Sequence, residues 1–319
     1  MSNSDTRGEA PLAGFVPMLD GRTRLLVRRG WEDAAEHLVD PDGVSVDEEL
    51  AGGRVPCRVT TLPGGARVVV RRYRRGGMAR WVNRTHYFGG NRAFDELRAT
   101  ERARAAGVRA PVVVAAIERP GRLAGYRAWL VTVFIPGAHD LAAWLHHSGA
   151  DEVRRREVLA EAGRQMAMMH QAGVAHPDVN LRNLLVAGDL GAEVYLIDFD
   201  RADVGVDAVP RGRRERDLRR LARSARKLRV IITPDEWAAF REGYGEGWPG
   251  NLDLSRVPKN ERGETSAAAS KVIEEDVDDL GEAPAAPPEP AMDGSAPAAD
   301  EPAEVESAPE ASEERRTGE

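Results

Sequence analysis

The chain contains one cysteine, few aromatic residues and no long apolar run. Because Cys57 is alone, no disulfide can form within the chain, which is typical of a reducing compartment. Residues 1–20 lack the basic and apolar regions of a secretory signal, and no apolar run reaches the roughly 18–20 residues that cross a bilayer. We therefore expect no signal peptide and no transmembrane segment, and a protein that is soluble or bound to a membrane surface.

The formal net charge of −7 averages two unlike regions. From Glu261 to the end there are 18 acidic and 4 basic residues, whereas the first 260 residues carry 34 acidic and 41 basic ones. The last region is rich in Ala, Pro and Glu, so it cannot bury enough apolar surface to offset chain entropy. We predict that residues 251–319 form a disordered acidic tail that solvates the protein, and that the folded part is mildly basic.

The strongest pattern lies between His176 and Asp200. Asp178 stands five residues before Asn183, and Asp198 follows an apolar strand fifteen residues after that asparagine. Phosphoryl transfer from a nucleotide needs a carboxylate to take the proton of the attacking hydroxyl, and oxygen ligands to hold Mg²⁺. The spacing matches the catalytic loop and the metal-binding Asp of kinases. It predicts Asp178 as the general base and Asn183 and Asp198 as magnesium ligands.

Two neighbouring residues are predicted to support the same chemistry. Asn180 lies near the position from which kinases contact the transferred phosphate, so its predicted role is auxiliary. His176 is expected to brace the loop through hydrogen bonds instead of handling protons. The competing interpretation, in which these residues only cap and turn a loop, has to account for several agreeing spacings at once.

A nucleotide-covering loop is less sharply marked than the catalytic loop. Gly52, Gly53 and Arg54 precede the first predicted strand, where a glycine-rich loop would cover the phosphates. Paired glycines also occur elsewhere in the chain, where they are typical of turns. The phosphate-binding and turn interpretations of this segment both stay open.

Arg71 occupies the strand position at which many kinases have a lysine. Its guanidinium keeps the positive charge and can bind phosphate oxygens through a planar fork. We predict that Glu96 on the next helix holds Arg71, with Glu101 as the second choice. The alternative is a surface charge pair without a catalytic part.

Two basic clusters remain, at residues 71–75 and 211–229. A run of charge is most often a solvated face, and the alternatives are an acidic acceptor or an anionic membrane surface. Nucleic acid is not expected, because the second cluster lacks interleaved aromatic residues and no recognition module is present. Only about 50 residues separate Asp200 from the tail. Protein kinases need more chain than this to bind a peptide, so we expect a small-molecule or sugar acceptor.

The order of predicted elements indicates two lobes. A hairpin around Pro63–Gly65, a charged helix over residues 92–106 and two strands come first, and helices with a catalytic hairpin follow. We predict an α+β, two-lobed protein-kinase-like fold with a small β-rich N-lobe and a reduced helical C-lobe. Residues 1–44 would be a leader, 45–135 the N-lobe and 136–250 the C-lobe with the catalytic loop.

In these motifs the chain resembles the lipopolysaccharide kinase family, in particular the kinases of 3-deoxy-D-manno-octulosonic acid (Kdo). The matching segments occur in the family's order, and they are Val70–Gly77, Arg92–Glu96, Gly107–Ala115, His176–Leu185, Leu196–Arg201 and Leu218–Ser224. The arginine–tyrosine–arginine–glycine–glycine run in the first segment separates this family from ordinary protein kinases. One departure is Gly53-Arg54-Val55, which stands where the family has Gly-Arg-Gly.

The resemblance implies ATP-dependent phosphorylation of the 4-hydroxyl of a Kdo residue on a lipid A precursor, Kdo-lipid IVA, in lipopolysaccharide core synthesis. ATP and Mg²⁺ are the implied cofactors. The implied partners are the lipid-linked sugar acceptor and an anionic membrane surface, at the cytoplasmic face of a bacterial inner membrane. No obligate protein partner is evident. Carried over by residue, Asp178 is catalytic, Asn183 and Asp198 bind metal, and Arg71 contacts phosphate.

Two alternatives to a Kdo kinase stay open. The first is a kinase of heptose or another cell-surface sugar on the same fold, because the acceptor pocket cannot be identified from the sequence. The second is a pseudokinase scaffold, which the altered glycine loop leaves open. The joint presence of Asp178, Asn183 and Asp198 argues against the second.

Deletion of residues 262–319 should leave the rate of phosphate transfer unchanged, because the predicted tail contributes no catalytic group. The rates of the full chain and of the shortened chain, measured side by side at equal protein concentration, check this. A large loss of rate on deletion would contradict the assignment of the tail as a solvating segment.

Overall fold

The described part of the chain is mainly sheet up to residue 133 and mainly helix after it. The structure, a computed structural model, describes residues 12–50, 57–73, 92–121, 125–147, 149–188 and 193–257, which all lie in one compact unit, Met1–Lys259. The predicted phosphate loop Gly52, Gly53 and Arg54 and all of the tail beyond residue 257 lie outside the described residues.

The first part contains most of the strands. Its elements are β1 (Phe15–Asp20), β2 (Thr23–Arg28), α1 (Glu32–Leu38), β3 (Glu48–Leu50), β4 (Cys57–Thr61), β5 (Arg67–Arg72), α2 (Arg92–Ala105), β6 (Val113–Pro120) and β7 (Tyr126–Val133). Among the described residues the seven strands form one antiparallel sheet in the order β1-β2-β6-β7-β5-β4-β3.

The predicted hairpin and its neighbours are present. β4 pairs with β5 in a register that places Val59 opposite Val69. The turn between them uses Gly64 and Gly65, both with positive φ, a conformation that glycine adopts without steric cost. The apolar side of α2, with Phe94 and Leu97, is buried against β6 and β7 and so fixes the helix on one face of the sheet.

The predicted leader, residues 1–44, differs from the structure. Its β1 and β2 lie in the sheet, and β2 pairs with β6, with Leu25 opposite Ile117. Leu25 and Val27 point into the core, and α1 also buries its apolar side there. A six-residue strand has only three inward positions, so its alternation is a weak signal in the sequence.

The second part contains most of the helices. Its elements are β8 (His139–Asp140), α3 (Leu141–His147), α4 (Glu152–Gln171), β9 (Val174–Ala175), β10 (Leu184–Ala187), β11 (Glu193–Leu196), β12 (Asp203–Val204), α5 (Arg211–Lys227) and α6 (Pro234–Tyr244). Short 3₁₀ turns at Leu181–Asn183, Gly245–Gly247 and Leu254–Arg256 complete it. The predicted hairpin of the catalytic segment is β10 paired with β11.

Helices α4 and α6 pack with their backbones almost in contact. A Cβ atom on Gly163 of α4 would lie 2.0 Å from the carbonyl oxygen of Phe240, and one on Gly243 of α6 would lie 1.9 Å from that of Ala160. Only residues without a side chain fit at these two crossing points. The close approach fixes the position of α4 against α6, and α4 is the helix that leads into the catalytic loop.

The prediction of an α+β fold with a β-rich first part and a helical second part is confirmed. The lobe boundary at residues 135–136 stays a prediction. The start of the tail differs, because Leu252, Leu254 and Val257 are buried in the core of the helical part instead of lying in a disordered segment. Among the described helices none is long and apolar enough to cross a membrane.

The substitution Gly163→Ala should lower the free energy of unfolding by about 3 kcal/mol, because the added methyl group forces α4 and α6 apart. The control is Gly212→Ala in α5, where no atom other than those of its chain neighbours and the adjacent helix backbone lies within 4 Å of the added Cβ. The control should change stability by less than about 1 kcal/mol. Urea unfolding of both variants measures the difference, and equal effects would contradict the close packing.

Candidate active site

The catalytic loop is tied together by two asparagine side chains. Asn180 and Asn183 donate from Nδ2 to the backbone carbonyl of Asp178, at 3.0 and 3.1 Å. A carbonyl oxygen only accepts hydrogen bonds, so each amide must turn its nitrogen toward it. The amide oxygen of Asn180 caps the following 3₁₀ turn by accepting from the Arg182 backbone N–H at 2.9 Å. The amide oxygen of Asn183 points away from the Asp178 carbonyl and can bind a cation.

Asp198 is brought to this loop by the backbone. The backbone N–H of Ile197 donates to the carbonyl of Asn183 at 2.9 Å, which extends the pairing of β10 with β11 by one residue. Asp198 follows directly in the left-handed conformation, with φ of 62°, which Asp tolerates better than most residues. The structure thus brings together Asp178, Asn183 and Asp198, the three residues on which the sequence-based prediction of a kinase rests.

Helix α5 supports the catalytic loop from behind with three side chains. Asp217 accepts from the backbone N–H of His176 at 2.9 Å, and Ser224 accepts from that of Leu181 at 3.1 Å. Between them, Arg220 donates to the carboxylate of Asp178 at 2.7 Å. Positions 217, 220 and 224 lie near one face of a helix because they are three and four residues apart. Their roles were not predicted, although residues 218–224 form one of the segments that carry the family resemblance.

His176 braces the loop from a buried position, as predicted. Its Nε2 lies 3.2 Å from the carbonyl of Ile197, which can only accept, and its ring stacks at a tilt on Phe199. Burial lowers the pKa of His176, against the opposing effects of that carbonyl and of nearby carboxylates. A neutral ring with the proton on Nε2 fits these contacts, since Nδ1 is buried without a hydrogen-bond partner among the described residues.

Arg71 links the sheet, helix α2 and Asp198. It forms an ion pair with the buried Glu96, as predicted, and donates to Asp198 Oδ1 at 2.5 Å. The Tyr73 hydroxyl also donates to Glu96, and Arg71 lies over the Tyr73 ring at 4.8 Å. Burial alone would lower the pKa of Arg71, but Glu96, Tyr73 and Asp198 together raise it well above its ordinary value. Arg71 is therefore positively charged at neutral pH.

Helix α2 also holds the second aspartate of the Asp198-Phe-Asp200 segment. Arg92 donates to both carboxylate oxygens of Asp200, with its Nε at 2.5 Å from Oδ1. Arg92 and Glu96 are one helical turn apart and lie on the same side of α2. Helix α2 thus positions Asp198 indirectly, through Glu96 and Arg71, and it positions Asp200 directly, through Arg92. The role of Arg92 was not predicted, and its only sequence signal was its place in a family segment.

The second-choice partner of Arg71 takes another position. Glu101 pairs with Arg28 of β2 at 2.5 Å, and both side chains are about one-fifth exposed. Glu101 contributes to holding α2 on the sheet and not to the network of Arg71. The ranking of Glu96 before Glu101 therefore holds, and the pairing of Glu101 with Arg28 was not predicted because the strand that supplies Arg28 was assigned to the leader.

Comparison with known proteins gives the family. The family model described as "Lipopolysaccharide kinase (Kdo/WaaP) family" matches residues 51–244. A "3-deoxy-D-manno-octulosonic acid kinase" of Xanthomonas campestris pv. campestris (strain B100) is 38% identical over 196 residues, 60% of this chain and 73% of the relative. A protein of the same name from Vibrio vulnificus (strain YJ016) is 30% identical over 219 residues, 66% and 88% of the two chains.

A solved structure, "WaaP in complex with acyl carrier protein", is similar with a TM-score of 0.46 and 23% identity, over 80% of this chain and 94% of that chain. The family match covers strands β4 to β7, helix α2 and the catalytic loop, and it confirms the resemblance stated from the motifs. The chain belongs to the lipopolysaccharide kinase (Kdo/WaaP) family.

Proposed function

We propose that this protein transfers the terminal phosphoryl group of ATP to the 4-hydroxyl of a Kdo residue on Kdo-lipid IVA. The family is one of lipopolysaccharide kinases, and the relatives that match are named as kinases of this sugar acid. One arrangement carries the proposal: Asn183 donates to the backbone carbonyl of Asp178, and the backbone N–H of Ile197 donates to the carbonyl of Asn183, which places Asp198 directly after that contact. A general base and two oxygen ligands for a metal ion are the groups that phosphoryl transfer requires.

Asp178 acts as the general base in this reaction. The acceptor oxygen forms a bond with the terminal phosphorus as the bond from that phosphorus to the leaving oxygen of ADP breaks. Asp178 takes the proton of the acceptor hydroxyl, and the bonding electrons leave with ADP. General-base assistance of this kind contributes on the order of 10²–10⁴ in rate. The carboxylate of Asp178 is 44% exposed, so an acceptor can reach it.

Asn183 and Asp198 would hold Mg²⁺, and the donor set fits this ion. The Asn183 amide oxygen points away from the loop carbonyl, and the Asp198 side chain is 39% exposed with Oδ1 beside Arg71. Mg²⁺ usually takes only one or two protein ligands besides phosphate oxygens and water. Held there, the ion would supply positive charge that offsets the negative charge of the phosphates during the transfer.

The nucleotide phosphates would be bound by Arg71, with Glu96 holding that arginine in place. Asn180, Gly52, Gly53 and Arg54 are proposed to assist, the last three as a loop over the phosphates. The acceptor is lipid-linked, so we further propose peripheral binding to the anionic cytoplasmic face of the inner membrane. The exposed arginines of α5 support attraction to such a surface.

Incubation of the purified protein with Mg-ATP and Kdo-lipid IVA should add one phosphate to the acceptor, seen by mass spectrometry, with fragmentation placing it on the 4-hydroxyl of Kdo. Asp178→Asn should lower the rate by at least about 10²-fold and leave ATP binding intact, because the amide cannot take the proton. Phosphate on another sugar but never on Kdo would contradict the proposed acceptor. Turnover by Asp178→Asn at the parent rate would remove Asp178 as the base.

Glu96→Gln should lower kcat/KM for ATP by roughly 10- to 100-fold, because Arg71 loses its buried charge partner and no longer holds the phosphate-binding position. Glu101→Gln is the matched control, since this acid of the same helix pairs with Arg28 instead. Steady-state kinetics with varied ATP measure both variants. Equal kcat/KM in the two would show that the Arg71–Glu96 pair has no part in nucleotide binding.

A further inference from the structure

The ion pair between Arg220 and Asp178 lies at the surface beside the reacting centre. Its two side chains are 50% and 44% exposed, and Nη2 of the guanidinium is 2.7 Å from Oδ1 of the carboxylate. Exposed ion pairs of this kind add little to stability. The contact instead places a permanent positive charge next to the group proposed to receive the acceptor proton.

Arg220 has more hydrogen-bond donors than this contact uses. A guanidinium carries five N–H donors in a rigid fork, and it binds a carboxylate best through two of them. Among the described residues only Asp178 accepts a hydrogen bond from Arg220, through Nη2. The remaining edge of the guanidinium is therefore open to an anion, while the first edge stays on Asp178.

The surroundings of Arg220 on α5 concentrate positive charge. Arg216, Arg220 and Arg223 are spaced by four and three residues, so they follow one side of the helix, opposite its buried side. No carboxylate of the described residues forms an ion pair with Arg216 or Arg223, which are respectively exposed and half-buried. Partial burial lowers the pKa of Arg223, and neighbouring arginines of the helix lower it further. This side of α5 favours an anionic ligand.

The acceptor of the proposed reaction is itself a sugar acid. Its carboxylate is attached to the ring carbon C2, two carbons from the 4-hydroxyl, so the two groups lie close together on one ring. Arg220 and Asp178 present a cation and a base at hydrogen-bond distance from each other. Arg220 could therefore bind the carboxylate of the sugar while Asp178 faces the nearby hydroxyl on the same ring.

We propose that Arg220 binds the carboxylate of the sugar-acid acceptor while it stays hydrogen-bonded to Asp178, and so selects acidic sugars and aligns their hydroxyl with the base. This inference rests on the proposed function and adds to it the residue that recognises the acceptor. A neutral sugar lacks the anion, so it would leave this edge of the guanidinium unused.

The test compares two acceptors with the full-length protein and Mg-ATP. One is Kdo-lipid IVA in neutral detergent, and the other is the same molecule with the Kdo carboxylates converted to carboxamides. The parent protein should prefer the acid by roughly 10- to 100-fold in kcat/KM, the range expected for a charged hydrogen-bonded contact. Arg220→Gln should reduce this preference to within about threefold, while KM for ATP stays unchanged.

Two further variants separate recognition from a structural role. Arg220→Lys keeps the charge but loses the fork, so it should restore part of the preference for the acid. Arg219→Gln is the matched control, because the neighbouring Arg219 is bound to Glu215 on its own helix at 2.6 Å. It should keep the parent's preference. Thermal unfolding of all variants verifies that each is folded before the kinetics are compared.

The remaining outcomes overturn the proposal in distinct ways. An equal loss with acid and amide in Arg220→Gln would restrict Arg220 to holding Asp178. The same comparison can be made with the acceptors in anionic vesicles. A loss of rate in Arg220→Gln that occurs only in these vesicles, and is equal for acid and amide, would assign Arg220 to binding the membrane surface. A parent that uses the amide as well as the acid also contradicts it. If the parent protein adds phosphate to neither acceptor, the proposed function itself is contradicted before any variant is compared.

Discussion

The position of Asp198 depends on Arg71, whose guanidinium forms ion pairs with both Glu96 and Asp198. Arg71 extends from the sheet, Glu96 from α2, and Asp198 from the segment after β11, so one guanidinium connects three separate parts of the chain. Removal of one partner of a buried ion pair commonly costs about 3–5 kcal/mol, because the other charge is left uncompensated. Arg92 of α2 forms a second ion pair with the same segment, at Asp200. Helix α2 thus fixes both acids of this segment relative to the sheet.

The catalytic loop has a second, independent support in α5. Asp217 and Ser224 bind backbone N–H groups of the loop, which would otherwise be unsatisfied donors. Arg220 differs from them because its contact with Asp178 is exposed and worth less than about 1 kcal/mol in stability. Two of the three contacts therefore serve the shape of the loop, whereas the third involves the carboxylate that we propose as the base for the acceptor.

The Arg71 network and the contacts from α5 lie on different sides of the catalytic loop, and we assign a different substrate of the proposed reaction to each side. The side facing Arg71 and Asp198 would hold the nucleotide and its metal ion, and the side facing α5 would receive the sugar. Asp178 lies between them, with its backbone carbonyl bound by Asn180 and Asn183 and its carboxylate bound by Arg220. Phosphoryl transfer depends mainly on positioning and electrostatic stabilisation, so rigid placement of these few groups is the main contribution of the fold.

The sequence determined which groups can do the chemistry and which elements carry them. The spacing of Asp178, Asn183 and Asp198 is local, and the hairpin and the long helices have enough periodic positions to be recognised. Tertiary structure decided the rest: that short strands before residue 45 join the sheet, that Glu101 pairs with Arg28, and that Arg220, among the many arginines of α5, touches Asp178. These contacts depend on which surfaces pack together, because each joins residues that are far apart in the chain.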